Sequence, residues 1–143
     1  MVCVELMNEK KLVDENDKNR RIKEIEFDKE YVFQNVIFDF NSVELKKDAK
    51  DEINTIYEFL STKKKTIITI MGHADNVGND NFNNTLSKNR AKSVKEYLIN
   101  KGLNKNRISS IGYGNLKPID SNDTEKGRVK NRRVEFVITK YDE

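Results

Sequence analysis

The stretch TIITIMGHADNVG, residues 66–78, joins a short apolar run to a polar loop and decides the fold prediction. Residues 66–71 are nearly all apolar and rich in β-branched side chains, which is typical of a strand in the centre of a sheet. Residues 72–78 supply Gly, His, Asp and Asn. Because ligands usually bind beyond the carboxyl ends of parallel strands, this loop is the first place to expect a binding site.

Helical periodicity flanks this strand on both sides. Upstream, apolar residues at 3.6-residue spacing predict an amphipathic helix with Asp48 in its first turn. Downstream, a second helix is predicted to end at Gly102, which supplies a left-handed stop. The apolar positions are Ala49, Ile53, Ile56, Tyr57 and Leu60 in the first helix, and Leu86, Ala91, Val94 and Leu98 in the second.

Three further strand patterns complete the domain: residues 32–40, 107–113 and 134–139. The resulting order, β-α-β-α-β-β, predicts an α/β (α+β) two-layer fold with a mixed four-stranded sheet and helices packed on one face. Helical crossovers make the first three strands mutually parallel if they pair, whereas the last strand arrives through a loop and is expected to be antiparallel.

The length and charge of the chain limit its organisation. Its 143 residues suit one domain, predicted at 31–140, with an N-terminal arm or linker at 1–30 and a tail at 141–143. The net charge of +3 is too balanced to indicate nucleic-acid or membrane binding. No signal peptide or membrane span is visible, so membrane attachment is expected only through a segment outside this chain. Cys3 excludes an internal disulfide, and Val2 before it is unusual for a lipoprotein.

The second helix carries polar side chains where its apolar stripe is expected. At about 100° per residue, Arg90 and Asn83 fall about 40° and about 60° from Leu86, inside the stripe. A buried arginine needs a partner, because taking a cation out of water costs several kcal/mol. That partner is either a ligand carboxylate or Asp75, in an internal ion pair that holds the loop. The residues alone leave both alternatives open.

Catalytic chemistry has little support in the sequence. His73 is the sole histidine, and with Asp75 it supplies at most two metal ligands. Ser87 and His73 lack an evident orienting acid other than Asp75, and no phosphate-binding glycine motif is present. The basic segment 127–133 is interpreted as a solvated loop, since no aromatic side chains are interleaved for nucleic-acid stacking.

Several spaced motifs resemble one known family. They are IFDFNSVEL at 37–45, GHAD at 72–75, NxxLSxxRAxxV at 83–94, ISSIGYG at 108–114, NDT at 122–124 and GRxxNRRVE at 127–135. In this order they resemble the OmpA-like C-terminal domain, which also occurs in Pal lipoproteins and MotB flagellar stator proteins. The resemblance covers about residues 31–140.

The resemblance implies non-catalytic binding of peptidoglycan through the diaminopimelate of the stem peptide, with no cofactor and no metal. By the family pattern, Asp75 takes the ammonium group of diaminopimelate and Arg90 takes a carboxylate. Asn41 and Asn83 match positions that supply polar contacts. Ala74 stands where the family often has threonine, which removes a hydroxyl and leaves a backbone contact.

The remaining expectations also follow from the resemblance. Arg128, Asn131 and Arg132 match the family pattern and are expected to be mainly structural, closing the last loop, with a secondary glycan contact as an option. The expected location is periplasmic and associated with the outer membrane, and a homodimer is possible. Two alternatives remain: a hydrolase of cell-wall peptides, and a protein–protein module in which an Asp75–Arg90 pair only braces the fold.

Overall fold

The structure, a computed structural model, describes residues 30–32 and 35–140. The predicted tail and all of the predicted arm except Glu30 lie outside the described residues. In chain order the elements are β1 (Glu30–Val32), β2 (Val36–Ile37), α1 (Lys47–Thr62), β3 (Thr66–Gly72), α2 (Asp80–Lys101), a 3-10 turn (Lys105–Arg107), β4 (Ile108–Gly112), α3 (Glu125–Asn131) and β5 (Arg133–Lys140).

The sheet is mixed and has four strand positions. β1 and β2 both pair antiparallel with β5 and share one edge position, β5 pairs antiparallel with β3, and β3 pairs parallel with β4. This confirms the predicted fold class, the central place of the strand at 66–71 and the antiparallel last strand.

The position of β5 differs from the simplest expectation, because β5 lies between the first strand and β3. Phe136, Val137 and Ile138 are all buried, so both faces of β5 are covered, as a central strand requires. The first strand therefore runs in the same direction as β3 but does not pair with it.

The predicted first strand, residues 32–40, is broken into two short pieces. Phe38 is buried just beyond β2, whereas Phe40 is 51% exposed and lies in a turn. Asn41 adopts a left-handed conformation with φ 57°, which asparagine tolerates better than most residues. The turn is closed by the Ser42 N–H, which donates to the Asp39 carbonyl at 3.1 Å.

Both long helices pack on one face of the sheet and form a single core with it. The core joins α1 (Ile53, Ile56, Phe59, Leu60) and α2 (Ala91, Val94, Leu98) to the strand residues Ile68, Ile70, Val134, Phe136 and Ile138. Gly102 ends α2 at φ 120°, as predicted. Within the described ranges, no helix has the length and apolar character needed to cross a bilayer.

Two features of the chain place polar groups at one end of this core. The buried stripe of α2 begins with Asn83, Ser87 and Arg90 and becomes apolar only from Ala91 onward. In addition, the connection predicted as a loop before β5 contains the short helix α3, which leads directly into Arg132 and Arg133. The polar end of α2 thus meets the loops that follow β2 and β3.

Candidate functional site

Arg90 lies at the centre of this polar region with its side chain fully buried. Its guanidinium donates to three backbone carbonyls: Nε to Ser42 at 2.9 Å, Nη1 to His73 at 3.1 Å and Nη2 to Asp39 at 3.0 Å. The Phe38 ring lies 5.2 Å from Cζ. Burial lowers the pKa of Arg90 to about 10, so the side chain still carries its charge at neutral pH.

Asp75 lies in the loop after β3 and is buried. Its Oδ1 accepts a hydrogen bond from the Val77 N–H at 3.0 Å, and its Oδ2 accepts one from Arg132 at 3.2 Å. The internal Asp75–Arg90 ion pair considered from the sequence is therefore wrong as a direct contact. Asp75 acts on Arg90 only at longer range, where its charge raises the Arg90 pKa against the stronger effect of burial.

The ion-pair partner of Asp75 is Arg132, not Arg90. It is 5% exposed, and it also donates to the Phe38 carbonyl at 3.0 Å and to Glu125 at 3.1 Å. The interpretation of segment 127–133 as a solvated loop is wrong, since Asn131, Arg132 and Arg133 are buried. The site therefore holds two guanidinium cations, and the charge of Arg132 lowers the pKa of Arg90.

Within the described part of the chain, Asn83 is a buried amide without a hydrogen-bond partner. It lies in the first turn of α2 and is 1% exposed, yet neither Oδ1 nor Nδ2 has a hydrogen-bond partner among the described residues. A buried amide without a partner costs about 1–3 kcal/mol. The start of α2 also presents the positive end of the helix dipole to the loop that carries Asp75.

Of the two remaining predicted contact residues, Asn41 is exposed and Ala74 is buried. Asn41 is exposed in the turn that presents the Asp39 and Ser42 carbonyls to Arg90, so its backbone conformation sets the geometry of two of the three acceptors. The Ala74 N–H donates to the Gly114 carbonyl at 2.9 Å. That N–H is therefore already used within the fold, and the backbone contact expected at Ala74 stays a prediction that would involve its carbonyl oxygen.

Arg128 and Asn131 contact the loop before α3. Asn131 accepts from the Ile119 and Asp120 N–H groups at 2.7 and 3.1 Å and donates to the Asp120 carbonyl at 2.9 Å. Arg128 donates to the Asn122 carbonyl at 2.8 Å. These contacts hold the loop closed beside Arg132.

The residues considered for hydrolysis do not assemble. The Ser87 hydroxyl is buried between the Asn84 carbonyl and the Gly114 N–H. His73 instead bonds Glu135 at 3.1 Å, and its ring stacks on Tyr113 on the sheet face opposite the helices. Burial lowers the pKa of His73, so it is neutral near pH 7. The described part of the chain contains no group of three or more residues able to hold a metal ion.

Two sets of contacts around these residues were not predicted from the sequence. The carbonyl acceptors of Arg90 belong to the backbone, and any residue type supplies such oxygens. The second set is the pair Arg133–Glu135, joined at 2.9 Å and linked to His73. Alternation within the last strand gave the only available hint, since residues two apart on a strand share a face.

Comparison with known proteins gives a consistent set of similarities. Residues 37–132 match the model of the OmpA family. The chain is 37% identical over 103 residues to outer membrane porin F of Pseudomonas fluorescens, covering 72% of this chain and 32% of that protein. It is 41% identical over 86 residues to the peptidoglycan-binding protein ArfA of Mycobacterium tuberculosis, covering 60% of this chain and 26% of that protein.

The fold is similar to that of a solved domain. The C-terminal domain of Helicobacter pylori MotB superimposes with a TM-score of 0.70 and 29% identity, covering 76% of this chain and 85% of that one. The chain spans about a third or less of the length of the two curated relatives.

Proposed function

Since this chain belongs to the OmpA family, we propose that it binds peptidoglycan without catalysing a reaction and anchors an envelope protein to the cell wall. The group it recognises is the diaminopimelate of the stem peptide, which carries an ammonium and a carboxylate on the same carbon. The site offers both charges in fixed positions, at Arg90 and Asp75.

Arg90 is the observation that carries this proposal. Its charge is fully buried, and its three hydrogen bonds go to carbonyl oxygens rather than to a carboxylate. A guanidinium has five N–H donors, so two remain for a ligand. The two that remain are one N–H on each terminal nitrogen, and arginine can bind a carboxylate through two such donors. The unpartnered amide of Asn83 adds a donor and an acceptor in the same part of the fold.

Asp75 is the counterpart for the ammonium group. Each of its oxygens accepts one hydrogen bond in the structure, from Val77 and from Arg132, so further lone pairs remain. Arg132 fixes the orientation of this carboxylate and keeps its charge compensated in the absence of ligand. A zwitterionic ligand then adds one cation and one anion and leaves the net charge of the site unchanged.

The relatives support the same function and suggest a location. One is named a peptidoglycan-binding protein, and another is named an outer membrane porin. We place this chain in the periplasm, associated with the outer membrane, with the membrane attachment provided outside the described domain. The buried Ser87 hydroxyl and the remote His73 ring support a binding role rather than a hydrolytic one.

Calorimetric titration with a diaminopimelate-containing stem peptide tests the proposal, with the lysine-containing stem peptide as a second ligand. The parent chain is expected to bind the first peptide and to bind the second much more weakly, because lysine lacks the additional carboxylate. Asp75→Asn and Arg90→Lys are expected to remove measurable binding.

Arg107 offers a matched control for the arginine substitution. It too donates to backbone carbonyls, those of Leu60, Lys63 and Thr66, but at the other end of β3. Arg107 is half-buried, so Arg107→Lys should also destabilise the fold, and it should leave peptide affinity unchanged. Equal loss of binding in both arginine variants, or no binding by the parent chain, would contradict the proposal.

A further inference from the structure

A groove runs between helix α2 and strand β4, on a different side of α2 from Arg90. It is open to solvent, has a volume of about 800 Å³, and its lining includes Lys88, Lys92, Lys95, Ile111 and Leu116. At about 100° per residue, the three lysines lie within about 60° of one another around α2. Asn83 and Arg90 lie more than about 100° from this lysine row, on the buried stripe.

β4 forms one wall of the groove and is an edge strand. Within the described ranges it pairs with β3 alone. The Tyr113 N–H that follows β4 points inward and donates to the Gly72 carbonyl at 2.9 Å. Since successive residues of a strand direct their backbone groups to opposite sides, Ser110 and Gly112 present theirs to the outer edge.

The groove is basic and also apolar. Three lysines line it against the single acidic residue Glu96, which lies 4.0 Å from Lys92. Ile111 is 44% exposed on the sheet face opposite the helices, and Leu116, which also lines the groove, is 75% exposed. A strand added to β4 would direct alternate side chains toward the lysines of α2 and toward Ile111.

From this placement we infer that the outer edge of β4 binds an extended segment of a partner protein in which acidic and apolar residues alternate. The segment adds as a strand to the sheet, a recognised mode of peptide binding in which the backbone supplies affinity and alternate side chains supply specificity. Its acidic side chains face Lys88, Lys92 and Lys95, and its apolar side chains continue the surface of Ile111.

Charge distinguishes this occupant from a second copy of the chain. Pairing two β4 edges would bring two lysine rows together, and like charges facing each other across strands are destabilising. The inference is independent of the proposed peptidoglycan site, because it uses the outer edge of β4 and the lysine face of α2.

A fluorescein-labelled peptide of alternating glutamate and valine, titrated into the full chain and followed by fluorescence polarisation, tests the inference. A peptide of the same composition, with its glutamates and valines in two blocks, has the same charge and is the peptide control. We expect saturable binding of the alternating peptide, weaker at higher salt, and at least about tenfold weaker binding of the block peptide.

Two double variants with equal net charge separate a local effect from general attraction. Lys88→Glu with Lys92→Glu reverses the groove and should weaken binding about tenfold or more. Lys50→Glu with Lys126→Glu reverses exposed lysines on α1 and α3 and should leave it within about twofold. Equal weakening by both double variants would overturn the inference.

Amide NMR spectra of the parent chain locate the contact. On adding the alternating peptide, the largest shifts are expected at the amides of Ser110 and Gly112. The largest shifts in loop 73–79 would overturn the inference. So would a stable dimer in sedimentation with no peptide binding, or contacts between β4 and residues 1–29, since each assigns the edge to another occupant.

Discussion

Replacing Asp75 by asparagine removes one partner of a buried ion pair while leaving the shape of the side chain almost unchanged. Asp75 and Arg132 side chains are 5% and 7% exposed, and their charged atoms are 3.2 Å apart. Removing one partner of such a pair typically costs about 3–5 kcal/mol, because the other charge stays buried without compensation.

The expected loss for Asp75→Asn lies near the lower end, about 3 kcal/mol. Arg132 keeps its hydrogen bond to the Phe38 carbonyl and its contact with Glu125. However, the Glu125 side chain is 63% exposed and is therefore a weaker counter-charge. For a domain of this size, such a loss corresponds to a fall in Tm of about 12 °C.

Urea unfolding followed by far-UV circular dichroism measures the free energy of unfolding, since the chain has no tryptophan for fluorescence. We propose a double-mutant cycle that combines Asp75→Asn with Arg132→Gln. A second double-mutant cycle, for comparison, combines Asp75→Asn with Arg90→Gln. We expect a coupling free energy of about 2–3 kcal/mol in the first cycle and below about 1 kcal/mol in the second. A larger coupling with Arg90 would refute the assignment of Arg132 as the partner of Asp75.

Three further predictions concern stability. The free energy of unfolding should fall as pH drops below 6.5, because burial lowers the His73 pKa and the unfolded chain takes up the proton first. It should fall again between pH 4.5 and about 2, because the pKa of Glu135 is 4.5 in the unfolded chain and about 2 in the folded chain. His73→Gln and Glu135→Gln should each flatten the corresponding part of the urea-derived pH profile. Gly72→Ala should destabilise by more than about 2 kcal/mol in urea titration, because an added Cβ overlaps the Ser87 carbonyl; unchanged stability would contradict that close approach. Asn79→Ala should cost about 1 kcal/mol by the same measurement, because its side chain caps α2 by accepting the Phe82 N–H at 2.7 Å, whereas Asn79→Asp should retain most of that stability.

The periodicity of the sequence predicted the main elements correctly. The spacing of apolar residues predicted α1 and α2, and the nearly continuous apolar run 66–71 predicted a central strand. The limits of this approach appear at residues 32–40, where an apolar run predicted one strand and the structure has β1, β2 and a turn. A run of apolar residues indicates burial, but Phe38 is buried without belonging to a strand.

The sequence predicted which side chains of the site are buried, but it did not predict which of them form ion pairs. Helical spacing placed Arg90 and Asn83 among buried residues, and both are buried. The sequence offered Asp75 and a ligand carboxylate as two equal alternatives for the partner of Arg90. The structure gives Asp75 to Arg132, which is 57 residues away in the chain.

The sequence by itself determined most of the buried residues along α1, β3 and α2, because their burial follows local periodicity and the cost of exposing apolar surface. It also determined that a charged residue on the buried face of α2 needs compensation. Only the tertiary structure decided what compensates it. The insertion of β5 beside β3 brings Arg132 to Asp75, and the turn at Asn41 brings two carbonyls to Arg90. Such contacts depend on strand order and backbone direction, which local composition does not encode.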